Sequence, residues 1–192
     1  MIYVVALLVG YGLGSIPFAY ILGMKKAGVD LRKLGSGNLG ATNVLRNLGF
    51  LSFVFCALLD IAKGFLPVFL FSRYVGAPVG ALAGLAAVLG HCYSPFMGYK
   101  GGKGVAVSAG LLLAFDWRVL ILSAVIMGIV LLASHIMSLA SMSAAVSMPI
   151  IYLILNGFDI YFLGAILLAG FVIFKHRENI SRLRKGEESK LF

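Results

Sequence analysis

Residues 1–24, MIYVVALLVGYGLGSIPFAYILGM, contain no charged side chain. About 20 such residues, wound as a helix, cross the roughly 30 Å apolar core of a bilayer. Inside that core only a helix or a closed barrel can pair its own backbone N–H and C=O groups. A run of this length therefore commits the chain to a membrane-spanning helix. It has no basic residues ahead of it and is longer than the apolar centre of a signal peptide, so it is expected to be a retained span rather than a cleaved leader.

The rest of the chain repeats the theme. Only 12% of its 192 residues are charged, 61% are hydrophobic, and mean hydropathy is +1.02. Soluble domains carry about 25% charged residues, so lipid is the expected solvent. Cys56 and Cys92 each lie inside an apolar stretch and read as packing groups, not as a disulfide framework.

The net charge of +9 is concentrated in three places. Lys25, Lys26, Arg32, Lys33 and Arg46 fall in one segment, Lys100 and Lys103 in a second, and Lys175, Arg177, Arg182, Arg184, Lys185 and Lys190 in the tail. Each cluster abuts an apolar run, so the positive-inside rule explains it as a cytoplasmic connection. No nucleic-acid partner is needed to account for it. With the N-terminus outside, residues 1–24 enter, 49–75 leave and 76–98 return. Segments 25–48, 98–104 and 175–192 are then cytoplasmic, and 104–174 must cross an even number of times. Four crossings at about 18 residues each use the available length. Their turns are expected at Asp116-Trp117-Arg118, Ser134-His135 and Asn156 to Asp159. The expected fold is an all-α, single polytopic membrane domain over 1–192 with seven spans, N-terminus outside and C-terminus cytoplasmic. Five spans plus a re-entrant pair over 104–133 is the alternative.

Three polar motifs lie on the cytoplasmic side. GSGNLGATNVLR, residues 35–46, formally matches the dinucleotide fingerprint G-x-G-x-x-G, but no strand precedes it and no βαβ unit can surround it. Its physics survives that exclusion. Glycines admit an anion close to backbone amides, and ATNVLRN can begin a helix whose free N–H groups favour negative charge. Ser36, Asn38, Thr42 and Asn43 add donors, and Arg46 a planar fork for phosphate. GYKGGKG, residues 98–104, is not a Walker A loop because Gly104 follows Lys103. Its glycine-flanked Lys103 is still a point charge suited to phosphate. In KHRENISRLRKGEE, residues 175–188, His176 and Asn179 share a helix face at i, i+3. Most of the arginines there fit a basic helix on anionic headgroups.

Further features read as structural. Asp60 and Lys63 stand one helical turn apart within an apolar run, where charges are costly and usually pair. His91 is expected to donate a hydrogen bond between helices, and His135 to sit in a turn. The stretches GAPVGALAGLAAVLG and SLASMSAAVS are expected to let helices pack closely. No Asp stands five residues beyond any histidine, as in His–Asp acyltransferases. There is also no nucleophile elbow and no Cys/His metal cluster. Any group transfer must then rest on orientation, electrostatics and a reactive donor.

In their order, GSGNLGATNVLR, GHCYSPFMGYKGGKGVAVSAG and HRENISRLRKGEE resemble the three signature segments of the bacterial acyl-phosphate:glycerol-3-phosphate acyltransferase family, PlsY. The LDIAKGFLPV stretch and the span pattern extend the resemblance over almost the whole chain. Cys92, Tyr93 and Tyr99 depart from residues often found in the family; the polar positions do not. The resemblance implies transfer of a fatty acyl group from acyl phosphate to the 1-hydroxyl of sn-glycerol 3-phosphate. The products are lysophosphatidate and inorganic phosphate, in the first step of phospholipid synthesis at the inner face of the bacterial membrane. It also implies that Ser36, Gly37, Asn38, Gly40 and Thr42 hold the acyl phosphate, with Gly101 and Gly102 allowing close approach. Lys103, Arg46, His176 and Asn179 would hold glycerol 3-phosphate. Ser36, Arg46, Lys103, His176 and Asn179 form the expected catalytic set. No cofactor, metal or obligate protein partner is expected; the partners are the two substrates and membrane lipid. The alternative is a small organic-phosphate transporter with a one-sided cationic site. A lipid kinase would need Mg²⁺-binding carboxylates near the motifs, where only Asp30 is available outside the tail.

Overall fold

The computed structural model describes residues 1–191. The helices are α1 (Ile2–Gly14), α2 (Phe18–Ala27), α3 (Ala41–Leu48), α4 (Phe50–Tyr74), α5 (Ala77–Cys92), α6 (Val105–Phe115), α7 (Trp117–Ser134), α8 (Met137–Asn156), α9 (Ile160–Lys175) and α10 (Arg177–Arg184). Short 3-10 turns span Leu31–Lys33 and Pro95–Met97. The chain forms two compact units, Met1–Phe115 and Asp116–Phe192.

Five helical segments are long and apolar enough to cross a membrane: Ile2–Ala27, Phe50–Tyr74, Ala77–Met97, Trp117–Ser134 and Met137–Asn156. A sixth exists if α9 and α10, bent by 58°, count as one. With 11 residues, α6 measures about 16 Å at 1.5 Å per residue, roughly half a bilayer core. Leu51, Leu132, Ile154 and Leu167 all stand at least 70% exposed. In water such a surface would drive association; against acyl chains it is the expected exterior. The breaks at Asp116, at 135–136 and at 157–159 fall where the polar residues led us to expect turns.

In the first unit α5 packs on α1 and α4, and α6 packs on α4. These contacts are backbone to backbone, as the small-residue stretch over 76–90 suggested for α5. A Cβ on Gly10 or Gly14 of α1 would strike the Ala83 or Ala87 carbonyl of α5. A Cβ on Gly64 of α4 would meet the Val107 carbonyl, and one on Gly110 of α6 the Ile61 carbonyl. Close backbone approach replaces the hydrophobic driving force that lipid abolishes.

The first span is not one continuous helix. Pro17 has no N–H, and proline drives the residue before it out of helical geometry, so Ser15–Pro17 separates α1 from α2. The break frees carbonyls at membrane depth, and side chains from elsewhere in the unit satisfy them. Lys63 Nζ donates to the Ile16 carbonyl at 2.9 Å, and Ser94 Oγ to that of Ser15 at 2.6 Å. Both donors belong to segments that support the site.

In the second unit α8 packs between α7 and α9. Asp116 caps α7 through the Arg118 amide at 3.0 Å, and its carboxylate binds the Arg118 guanidinium. Asn156, at the end of α8, donates to Asp116 at 2.9 Å and accepts from Arg118 at 3.0 Å. The Arg118 hydrogen bond outweighs burial and, with Asn156, brings the Asp116 carboxyl down to about 2.

Candidate active site

The first motif is a loop held from beneath by one asparagine. Gly35 and Gly37 take φ of +56° and +67°, a region open to glycine at little cost. Asn43, 1% exposed on α3, donates its amide to the carbonyls of Leu31 (3.0 Å) and Leu34 (3.1 Å). Its Oδ1 accepts from the Ser36 backbone N–H at 3.1 Å and from Asn47 Nδ2 at 3.1 Å. Asn43 was expected among the anion donors; its side chain instead fastens the loop internally. Ser36 is exposed at the loop's crest, and Asn38 and Thr42 are half-buried. Helix α3 starts at Gly40 with no side-chain cap, so its first-turn N–H groups carry the partial positive charge of an open helix start. Arg46 is exposed in the last turn of that helix. Asp30 is tied into an ion pair with Arg32 at 2.7 Å, whose hydrogen bonds hold its carboxyl below the usual range.

The second motif rests on His91. The Gly102 N–H donates to the His91 carbonyl at 3.1 Å. A Cβ on Gly101 would meet that carbonyl, and one on Gly102 would enter the imidazole ring. Only glycine lets this loop lie so close to α5, and it delivers Lys103, half-buried, at the mouth of α6.

Beneath both loops lies a buried charged cluster. Asp60 Oδ1 stands 2.9 Å from Lys63 Nζ and 3.7 Å from His91 Nδ1. Lys63 also binds the Ile16 carbonyl and lies over the Phe18 ring at 5.6 Å. The pairing of Asp60 with Lys63 was anticipated. That it also reaches the broken first span, with His91 alongside on α5, was not. Lys63 is thus held within the buried cluster by Asp60 and the Ile16 carbonyl. A small cavity joins these parts: Leu39 of the first motif, Gly101 of the second, and Lys63, His91 and Ser94 all line it. The first two motifs therefore meet.

In the second unit the chain bends at His176, between α9 and α10. His176 and Asn179 are 3% and 5% exposed. The Val172 carbonyl lies 2.8 Å from His176 Nδ1. A carbonyl can only accept, so Nδ1 carries a proton and, in the neutral ring, Nε2 bears the lone pair. Asn179 Nδ2 donates to Glu188 Oε1 at 2.5 Å. Glu188 was not singled out from the sequence, where it is one of two adjacent glutamates in a basic tail.

The sequence profile described as Glycerol-3-phosphate acyltransferase matches residues 4–186. This chain is a member of that family, PlsY. A glycerol-3-phosphate acyltransferase from Prochlorococcus marinus is 42% identical over 184 residues, covering 94% of this chain and 93% of its own. One from Carboxydothermus hydrogenoformans is 41% identical over 189 residues, with 98% and 96% covered. The fold agrees as well. The crystal structure of PlsY (YgiH), an integral membrane glycerol 3-phosphate acyltransferase, in its glycerol 3-phosphate form superposes with a TM-score of 0.93 at 38% identity. It covers 98% of this chain and 94% of that one. The lysophosphatidic acid form gives 0.92 at 37% identity. The chain is thus a multi-pass membrane glycerol-3-phosphate acyltransferase.

Proposed function

We propose that the protein moves a fatty acyl group from acyl phosphate to the 1-hydroxyl of sn-glycerol 3-phosphate, releasing lysophosphatidate and inorganic phosphate. The observation that carries this reading is the meeting of two glycine-rich, cation-bearing loops over one buried support. Such a pair suits a phosphate that arrives acylated and departs free. Relatives solved with glycerol 3-phosphate and with lysophosphatidic acid support the acceptor and the product.

The acceptor oxygen attacks the acyl carbonyl carbon, the bond from that carbon to the phosphate oxygen breaks, and phosphate leaves with the electron pair. The hydroxyl proton passes to a phosphate oxygen of the substrates, so no protein base is required. Ser36, Gly37, Asn38, Gly40 and Thr42 hold the acyl-phosphate head, and Gly101 and Gly102 let it approach. Lys103 and Arg46 neutralise departing charge and, with His176 and Asn179, hold glycerol 3-phosphate. Preorganised donors of this kind contribute about 3–4 kcal/mol each to transition-state stabilisation in acyl transfer.

The basic connections support an orientation in the bacterial inner membrane with the N-terminus outside. Seven crossings follow, α6 being the short one, and segments 25–48, 98–104 and 175–192 of a single polytopic domain face the cytoplasm. Every polar motif then serves one side, unlike a transporter, which needs access from both.

Lys103→Ala tests the reading. We expect turnover with palmitoyl phosphate and glycerol 3-phosphate to fall at least a hundredfold in a variant with wild-type helical content and melting temperature. Near-normal turnover would reduce Lys103 to a membrane anchor.

A further inference from the structure

The tail beyond α10 is tied back onto the start of α8. Glu188 Oε1 accepts from Ser138 Oγ at 2.7 Å and from Asn179 Nδ2 at 2.5 Å, and Oε2 accepts from Arg182 Nε at 2.6 Å. Three residues on, the Leu191 N–H donates to the His135 carbonyl at 2.7 Å. The Glu188 side chain is 5% exposed, whereas its neighbour Glu187 is exposed. A carboxylate is costly to bury, and here its donors come from α8 and α10. Its burial favours the neutral form, yet hydrogen bonds from Ser138, Asn179 and Arg182 overcome this and hold the carboxyl below the usual glutamate range.

An ionised carboxylate only accepts. It therefore fixes which end of the Asn179 amide faces Glu188, an orientation an asparagine is otherwise free to reverse. We infer that Glu188 is a positioning residue: it clamps Asn179 in the one amide orientation that receives glycerol 3-phosphate, and Ser138 and Arg182 hold the clamp. This inference rests on the role proposed for Asn179. It goes beyond that reading by making the acceptor site depend on a tail residue outside the third motif's helix.

Steady-state kinetics in detergent, with both substrates varied, test the clamp. Glu188→Ala should raise KM for glycerol 3-phosphate at least tenfold and leave KM for acyl phosphate within twofold. Glu188→Gln, which keeps an acceptor oxygen but loses the charge, should fall between Glu188→Ala and wild type. Glu187→Ala should match wild type. Ser138→Ala, which removes one support, should shift the same KM in the same direction by a smaller factor; it carries the test if Glu188→Ala does not fold.

An unchanged KM for glycerol 3-phosphate in Glu188→Ala overturns the clamp. So does a lowered one, which would make Glu188 a competitor of the substrate. Equal rises in both KM values would mean a general structural role and would overturn it too. Asn179→Ala separates the two claims. If that variant turns over like wild type, the role of Asn179 fails. If it is inactive while Glu188→Ala keeps normal KM values, the clamp alone fails.

Discussion

Asn43 bears no charge and touches four neighbours through a single amide: two carbonyls, one backbone N–H and the side chain of Asn47. It is the residue on which the shape of the first motif depends. Replacing it with aspartate keeps the size but turns both donors into acceptors, facing the oxygens of Leu31 and Leu34. A buried polar group left without a partner costs about 1–3 kcal/mol, and this change strands several. We expect Asn43→Asp to lower kcat/KM for acyl phosphate at least tenfold while circular dichroism still reports wild-type helix. Unaltered kinetics would mean the loop needs no such fastening. The sequence marked Asn43 as a polar residue in an anion-suited motif, but spacing does not distinguish a side chain aimed outward from one turned back on its own loop. Asp60 and Lys63 show the reverse. Their pairing follows from the cost of charge at membrane depth, whereas the bond from Lys63 to Ile16 depends on helices brought together over 47 residues.

Helices and their turns were largely legible, because apolar run length and polar punctuation are strong signals in a membrane protein. The break at Pro17 inside the first apolar run was not drawn from the sequence, although proline supplies its cause. Its meaning lies in the carbonyls it frees for Lys63 and Ser94, and these are tertiary contacts. Nor did the sequence mark the knot of Asp116, Arg118 and Asn156 at the start of α7 and the end of α8. That knot has a pH signature. The Asp116 carboxyl sits at about 2 in the fold, against 3.8 unperturbed. A lowered pKa contributes stability that is complete above the unfolded value and is lost as pH falls through the folded one. Asp116→Asn should therefore melt below wild type at pH 7, and the gap should narrow as pH drops from about 4 towards about 2. A gap independent of pH would show that the charge of Asp116 is immaterial to the turn.

For the molecule as a whole, membrane embedding and the family could be read directly from the chain. Which side chains hold substrate and which hold the loops could not, since both kinds are polar and lie within a few residues of each other. Ser36 is exposed and Asn43 is buried, a difference set by the fold rather than by residue type. The absence of a His–Asp base in the sequence gives the account its central claim: reactivity resides in the donor, and the protein supplies orientation and positive charge. The most direct measurement gives purified protein in detergent glycerol 3-phosphate with either palmitoyl phosphate or palmitoyl-CoA, and quantifies lysophosphatidate and released phosphate. Equal amounts of lysophosphatidate and phosphate are expected from palmitoyl phosphate, and negligible product from palmitoyl-CoA. Phosphate release without lysophosphatidate, or equal activity with the thioester, would contradict that claim.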